Sequence, residues 1–175
     1  HIEKIARTPR ITALRFNTII PVKGDKTDVL AYLKEKCGDK DLWIDLKTRQ
    51  LRVEDISFYP YPSIKLNHRI SVNTPCTIYY KDVTAQAIDI DKGDTLILSG
   101  PPASMPDIGD QINILAPSLK IDTYLTDTDL AYIEAAKKKE LHNYMLSFVE
   151  SADDILSLVE VDPLAEIIAK IETQK

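Results

Sequence analysis

The chain switches between two patterns of secondary structure, and the positions of the switch limit what it can fold into. Residues 11–47 read as strand, short helix and strand, and residues 125–172 resume that alternation. Between them, residues 55–118 hold seven of the ten prolines, together with short β-type runs and turn signals. Strands that alternate with helices are typical of a parallel sheet. The sequence therefore predicts an α/β domain that is interrupted by an all-β module.

The predicted elements set the boundaries of this arrangement. Strands are expected over 11–20, 41–47, 142–149 and 166–172, and helices within 25–38, 125–140 and 151–161. The fold class is α/β: part of a (β/α)8 barrel built from 1–54 and 119–175, with a small β barrel inserted at 55–118. A whole barrel of this kind needs about 250 residues. Four strands are thus expected to be a fragment whose open sheet edges need a partner.

Local signals mark the ends of the predicted helices. Thr27 is a plausible N-cap for the first helix, and Gly38 is a stop signal after it. Thr126 or Thr128 opens the second helix, and Ser151 with Asp154 forms a capping pattern before the third.

Composition excludes several classes of protein. The net charge of −5 argues against a broad surface for nucleic acid or for anionic membranes. No apolar run approaches the ~20 residues that a membrane span needs. The first ten residues lack the apolar core of a signal peptide, and Cys37 and Cys76 fit free thiols, so a cytoplasmic protein is expected. The three histidines are scattered, and no Cys/His metal spacing is present.

Charged and polar side chains collect where the four strands end. Residues two apart on a strand share a face, and the carboxyl ends of parallel strands in a barrel converge on one mouth. Arginine and lysine there suit phosphate and carboxylate, whereas Asp and Glu suit a hard cation such as Mg²⁺. The alternative is that these charges are ordinary solvated strand ends. The residues are Arg15 and Asn17, Asp45 and Lys47, Ser147, and Lys170 and Glu172.

Several segments resemble motifs of the pyruvate kinase family. "LWIDLKTRQLR" is similar to its Asp-Thr-Lys-Gly-Pro-Glu-Ile-Arg motif at Asp45, Lys47 and Arg52, and "IIAKIETQ" is very similar to its Ile-Ala-Lys-Ile-Glu-Asn-Gln strand. "LSFVESADDI" resembles Leu-Ser-Phe-Val-Arg-Ser-Ala-Glu-Asp-Val, "LRFNT" weakly resembles Arg-Leu-Asn-Phe-Ser, and "IDTYLTDTDLAYI" resembles Val-Asp-Leu-Pro-Ala-Leu-Thr-Glu-Lys-Asp. The inserted β module takes the position of that family's B domain, a mobile lid.

The resemblance implies an activity and roles for individual residues. It implies a cytoplasmic, homo-oligomeric glycolytic enzyme that makes pyruvate and ATP from phosphoenolpyruvate and ADP, with Mg²⁺ or Mn²⁺ and K⁺. The implied roles are phosphoryl and enolate stabilisation for Lys170, substrate binding for Arg15 and Ser147, nucleotide binding for Arg52, Mg²⁺ binding for Glu172, and K⁺ binding for Asn17 and Asp45.

Departures from the family pattern keep two alternatives open. Leu46 replaces a Thr of the family's K⁺ site, which weakens the expectation of K⁺ dependence, and Glu150 reverses the charge of a family Arg. Thr48-Arg49 replaces the family's Gly-Pro, and Lys81-Asp82-Val83 replaces the Asp-Asp-Gly of the lid. The alternatives are a non-catalytic paralogue that binds a carboxylate or phosphate ligand, and a metal-dependent lyase or aldolase acting on a 2-oxo acid.

Overall fold

The computed structural model describes residues 2–172, which divide into two compact units. The first unit combines the chain up to Thr48 with the chain from Leu125 onward, and the second is Arg49–Tyr124. The second unit therefore begins earlier and ends later than the predicted insert, 55–118. The elements, numbered in chain order, are α1 (Ile2–Ala6), β1 (Ala13–Asn17), α2 (Lys26–Cys37), β2 (Asp41–Leu46), β3 (Val53–Ser57), β4 (Ser63–Leu66), β5 (Ile70–Ser71), β6 (Cys76–Tyr80), β7 (Val83–Asp91), β8 (Thr95–Leu98), β9 (Asn113–Ile114), β10 (Lys120–Ile121), α3 (Asp127–Lys137), β11 (Asn143–Leu146), α4 (Ala152–Val161) and β12 (Glu166–Ala169).

A four-stranded sheet forms the centre of the first unit. Its strand order is β1-β2-β11-β12, and all three pairings are parallel. α2 connects β1 to β2, α4 connects β11 to β12, and α3 precedes β11. The predicted alternation of helices with parallel strands is therefore confirmed for these elements, which have the mixed α/β character expected.

The strands are shorter than predicted, and this changes the context of two candidate residues. The last strand ends at Ala169, so Lys170 and Glu172 lie in the segment that follows it rather than within it. Lys170 still continues the sheet pairing, because its N–H donates to Leu146 O (2.9 Å) and its carbonyl accepts from Val149 N–H (3.1 Å). The short helix α1 has no counterpart in the prediction.

The helix start signals are partly corrected by the structure. Asp25, not Thr27, is the N-cap of α2, and its carboxylate accepts the N–H of Thr27 (2.7 Å). A carboxylate two residues ahead reaches that donor directly, as an N-cap side chain does. Thr126 is the N-cap of α3, and the predicted pairing of Ser151 with Asp154 at α4 is confirmed.

The core of the first unit lies between the sheet and its helices. Alternate residues of β2 are fully buried, and the ring of Phe16 from β1 packs edge-to-face on Tyr132 of α3, with 5.7 Å between ring centroids. Burial of such side chains contributes about 1.5–3 kcal/mol each. Other fully buried members are Leu30, Leu42, Ile44, Leu46, Ile133, Tyr144, Leu146 and Leu158.

The second unit is all-β, as its prolines and turn signals indicate. Six strands in the order β3-β4-β8-β7-β6-β9 pair antiparallel, and β5 pairs with β10 separately. The sheet closes on itself because Arg52 bridges to Gln111 and the Gly109 N–H donates to Val53 O (2.8 Å). Closure removes most of the exposed strand edge, which otherwise invites pairing with other chains.

Among residues 2–172, no helix combines the length and the apolar character that crossing a membrane requires.

Candidate functional site

Strand register places the predicted charged residues on one face of the sheet. Asn17 pairs with Asp45, Asp45 pairs with Met145, and Met145 pairs with Ile168. These four paired residues form a row across the sheet, and a residue two positions along a strand from any of them projects to the same side. Arg15, Lys47 and Lys170 each stand two positions from a member of the row, so alternation directs all three toward the side chain of Asp45.

The carboxylate of Asp45 lies at the centre of three cationic groups. Lys170 Nζ is 2.9 Å from Oδ1, Lys47 Nζ is 3.0 Å from Oδ2, and Arg15 Nε is 3.3 Å from Oδ2. The Asp45 side chain is 1% exposed, whereas that of Arg15 is 53% exposed. The carboxylate is therefore buried beneath cations, and Arg15 is the cation that reaches furthest into solvent.

The protonation of Asp45 reflects this arrangement. Burial raises the pKa of the carboxyl group, but the hydrogen bonds from Lys170 and Lys47, with the charges of the same two groups, lower it by more, and the net pKa lies below the ordinary value. The group is thus a carboxylate at neutral pH. Three cationic groups surround this one buried carboxylate, an arrangement that suits the binding of an added anion such as phosphate or carboxylate.

Glu172 lies beside this cluster and supports a turn of the backbone. Its Oε2 accepts the N–H of Phe148 (3.1 Å) and lies 3.9 Å from Lys170 Nζ. Phe148 has a positive φ of 51°, a conformation that is uncommon for non-glycine residues. Glu172 therefore holds the turn that follows β11 while its carboxylate stays partly exposed.

Hydrogen bonds tie the ends of β2 and β11 together just behind the cluster. Ser147 Oγ donates to Leu46 O (2.8 Å), and Thr48 Oγ1 donates to Ser147 O. Both side chains are buried. Ser147, the predicted substrate-binding residue, therefore connects the end of β11 to the end of β2 through these hydrogen bonds.

The two remaining predicted residues, Asn17 and Arg52, form hydrogen bonds outside the cluster around Asp45. Asn17 Oδ1 accepts the N–H of Ile19 (3.2 Å) in the turn after β1. Arg52 belongs to the second unit, where Nη1 donates to Gly109 O (2.6 Å) and Nε and Nη2 donate to Gln50 Oε1. A nucleotide phosphate at Arg52 would have to compete with these bonds.

The donor set distinguishes the two metal ions that the resemblance implies. K⁺ does not fit at Asn17 and Asp45, because three cationic groups already surround the Asp45 carboxylate and Asn17 Oδ1 accepts a backbone N–H. Within residues 2–172, no group of three or more His, Cys, Asp or Glu side chains is placed to hold a metal. Glu172 supplies one carboxylate, which fits Mg²⁺ held jointly with a phosphate ligand, since Mg²⁺ often uses only one or two protein carboxylates.

One buried carboxylate of the site was missed by the sequence analysis. Asp129 accepts the N–H groups of Lys47 and Thr48, each at 3.0 Å, although more than 80 residues separate it from them. The Thr126-x-x-Asp129 spacing is a capping pattern and could have identified Asp129 as a capping residue at the N-terminus of a helix. Nothing local to the sequence reports its contact with the end of β2.

The fold has a clear counterpart among solved structures. Over 92% of its length, the chain is similar to 40% of the chain of a pyruvate kinase from Cryptosporidium parvum, solved in complex with ADP, with a TM-score of 0.60 and 16% sequence identity. The chain thus spans less than half the length of that protein. No family model matches the sequence, and no curated protein matches it. The likeness shows a shared, pyruvate kinase-like fold.

Proposed function

We propose that this chain is part of a pyruvate kinase-like phosphotransferase, which transfers a phosphoryl group from phosphoenolpyruvate to ADP. The observation that carries the proposal is the cluster of Arg15, Lys47 and Lys170 on the buried carboxylate of Asp45. The cluster lies at the carboxyl ends of parallel strands, where α/β enzymes place their ligands. The fold likeness described above supports the same assignment.

The roles of the residues follow from exposure and charge. Phosphoryl transfer depends mostly on positioning the reactants and neutralising their charge. Arg15, which is half-exposed, binds the phosphate of phosphoenolpyruvate through its guanidinium N–H groups. Lys170 stabilises the negative charge that moves onto the enolate oxygen as the phosphorus–oxygen bond breaks. Asp45 holds both lysines in place without receiving a proton, because its pKa is low.

Glu172 is the residue that would hold Mg²⁺ or Mn²⁺ in this proposal. Such an ion, when bound, neutralises charge on phosphate and carboxylate oxygens. Glu172 itself keeps the Phe148 turn in place, and its side chain is more exposed than that of Lys170. K⁺ has no part in the proposal, since the residues expected to bind it do not fit.

One observation favours a second candidate, a paralogue that binds an anionic ligand without transferring phosphate. The N–H groups of Arg52 are engaged by Gln50 and Gly109 within the second unit. The nucleotide contact implied by the family resemblance therefore has less support than the anion cluster in the first unit. Such a protein would retain phosphoenolpyruvate binding and lack reaction with ADP.

A coupled assay of the full-length protein with phosphoenolpyruvate, ADP and Mg²⁺ tests the proposal. Wild-type protein should form pyruvate, and Lys170→Ala should lower kcat at least ~10²-fold, by analogy with loss of one oxyanion donor. Lys139→Ala, at an exposed position near the end of α3, is the matched control and should react as the wild type does.

Calorimetry with phosphoenolpyruvate alone separates the candidates. Binding without pyruvate formation would select the non-catalytic paralogue. Absence of both would reject the anion site itself.

A further inference from the structure

Asp129 is buried and its carboxylate accepts four hydrogen bonds. Oδ1 accepts the Lys47 N–H (3.0 Å), and Oδ2 accepts the Thr48 N–H (3.0 Å), the Thr126 N–H (3.1 Å) and the Thr126 hydroxyl (2.7 Å). The residue is 1% exposed. A carboxylate buried to this extent is stable only with such a set of donors.

Helix capping explains only half of these bonds. The reciprocal bonds between Thr126 and Asp129 complete the N-terminus of α3. Asp154 caps α4 in the same way, because its carboxylate accepts the N–H groups of Glu150 (2.8 Å) and Ser151 (3.1 Å), which lie just before the helix. The two bonds that Asp129 accepts from the N–H groups of Lys47 and Thr48 come from a distant segment, so they are not part of the helix cap.

The turn that Asp129 holds is one that does not form readily without support. Thr48 has a φ of 48°, and a β-branched residue in this left-handed region is strained. The same residue is fully buried. Strain of this kind persists only where surrounding contacts determine the conformation, and the bonds from Lys47 and Thr48 to Asp129 are such contacts.

Lys47 connects this turn to the anion site. Its backbone N–H is bound by Asp129 and its Nζ lies 3.0 Å from Asp45 Oδ2. Two fixed points, one on the backbone and one on the ammonium group, define the path of this long side chain. Movement of the backbone at Lys47 would therefore move the ammonium group away from the cluster.

We propose that Asp129 is a positioning residue that sets the place of Lys47 in the anion site through the backbone of the Lys47–Thr48 turn. The inference rests on the proposed function in assuming that the cluster binds an anionic ligand. It assigns Asp129 a role beyond the helix cap that its sequence pattern indicates.

A double-mutant cycle on ligand affinity tests this role. Phosphoenolpyruvate affinity is measured by calorimetry for wild type, Asp129→Asn, Lys47→Ala and the double variant. Asp129→Asn should weaken binding by about tenfold or more, because a displacement of roughly 1 Å at a site can cost that much. In the Lys47→Ala background the same substitution should have little further effect, since residues that act through one another are not additive.

Two further variants separate positioning from capping and from misfolding. Asp154→Asn weakens the equivalent cap of α4 and should leave phosphoenolpyruvate affinity close to that of the wild type. If Asp129→Asn does not fold, Asp129→Glu replaces it. Glutamate keeps the negative charge, but its extra methylene group displaces the carboxylate from the Lys47 and Thr48 donors.

A measurement without ligand distinguishes failure of this inference from failure of the proposed function. The Nζ resonance of Lys47 in ¹⁵N NMR should change in Asp129→Asn and stay unchanged in Asp154→Asn. If wild type does not bind phosphoenolpyruvate, the proposed function fails, and the resonance alone decides whether Asp129 positions Lys47. An unchanged Lys47 resonance, or losses of affinity that add in the double variant, would overturn the inference.

Discussion

Lys170 Nζ lies 2.9 Å from Asp45 Oδ1, although 125 positions separate the two residues in the chain. The contact joins the segment after the last strand, β12, to β2, with β11 between them. Because one buried carboxylate serves two lysines and an arginine, removal of its charge should affect the stability of the first unit as well as its chemistry.

Asp45→Asn should lower the free energy of unfolding by about 2–3 kcal/mol. Removing one partner of a fully buried ion pair costs ~3–5 kcal/mol, and the cost here is lower because Arg15 and Lys170 reach solvent. Trp43, the only tryptophan of the chain, lies two residues away, so its fluorescence during urea unfolding provides the measurement. Asp39→Asn, at an exposed surface pair, is the control and should change stability by at most ~1 kcal/mol. Equal effects of the two variants would contradict the central role of Asp45.

Glu172→Gln should weaken Mn²⁺ binding in the presence of phosphoenolpyruvate by at least about tenfold, the lower end of the cost of disturbing a metal site. The amide keeps an oxygen that can accept the Phe148 N–H but loses the charge that a hard ion requires. Paramagnetic broadening by Mn²⁺ provides the measurement. Glu166→Gln, at the first residue of β12, is the control. An unchanged Mn²⁺ midpoint would remove Glu172 from the metal site.

The strands end earlier than predicted, but the face that residues near the strand ends share could be predicted from the sequence, because alternation along a strand is local information. The i, i+2 spacing of Asp45 and Lys47 indicates a shared face, and parallel register then brings them toward Lys170. Asp25 was missed as a cap because Thr27, also a capping residue type, stands within the same turn. The contacts of Asp129 with Lys47 and Thr48, and of Arg52 with Gly109, join distant segments of the chain, and no periodicity or local motif reports them.

Thr48→Gly should be more stable than Thr48→Ala by about 1 kcal/mol. Both variants lose the hydroxyl that donates to Ser147 O, so they differ chiefly in backbone strain. At φ 48° an L-residue costs roughly 1–2 kcal/mol that glycine avoids, partly offset by the greater flexibility of glycine when unfolded. Urea unfolding of the two variants gives the comparison. If the alanine variant is the more stable one, the left-handed turn is not under strain.

Arg52→Ala should loosen the closure of the β barrel in the second unit. Its guanidinium donates to Gly109 O and to Gln50 Oε1. A hydrogen bond from a charged group contributes at most about 3 kcal/mol to the free energy of unfolding. Faster amide hydrogen exchange at Gly109 and Ile112, whose N–H groups bond across the closure, should report the change. Arg69→Ala, at an exposed arginine of the same unit, should leave both amides protected. Unaltered exchange in Arg52→Ala would leave Arg52 available for the nucleotide role.

The cluster of Asp162, His142 and Tyr144 should make stability depend on pH in acid. Asp162 lies at the end of α4, its Oδ2 is 2.8 Å from His142 Nδ1, and it accepts the Tyr144 hydroxyl at 2.8 Å. Burial raises the pKa of Asp162, but the bonds from His142 and Tyr144 lower it by more, so the net pKa lies below its ordinary value. Burial, followed by the bond to Asp162, also raises the pKa of the Tyr144 hydroxyl.

A carboxyl group whose pKa falls on folding stabilises the protein above its unfolded pKa of about 3.9, and this stabilisation is lost as the pH drops through the lower folded value. Asp162→Asn should therefore be less stable than the wild type by roughly 1.5–3 kcal/mol near neutral pH, the cost of losing a charged hydrogen-bond acceptor. The difference should hold down to about pH 5 and narrow below about pH 4. Urea unfolding of both proteins across this range measures it, with Asp39→Asn as an exposed control. A difference that stays constant down to the lowest pH at which the protein folds would show that the charge of Asp162 does not provide the stabilisation.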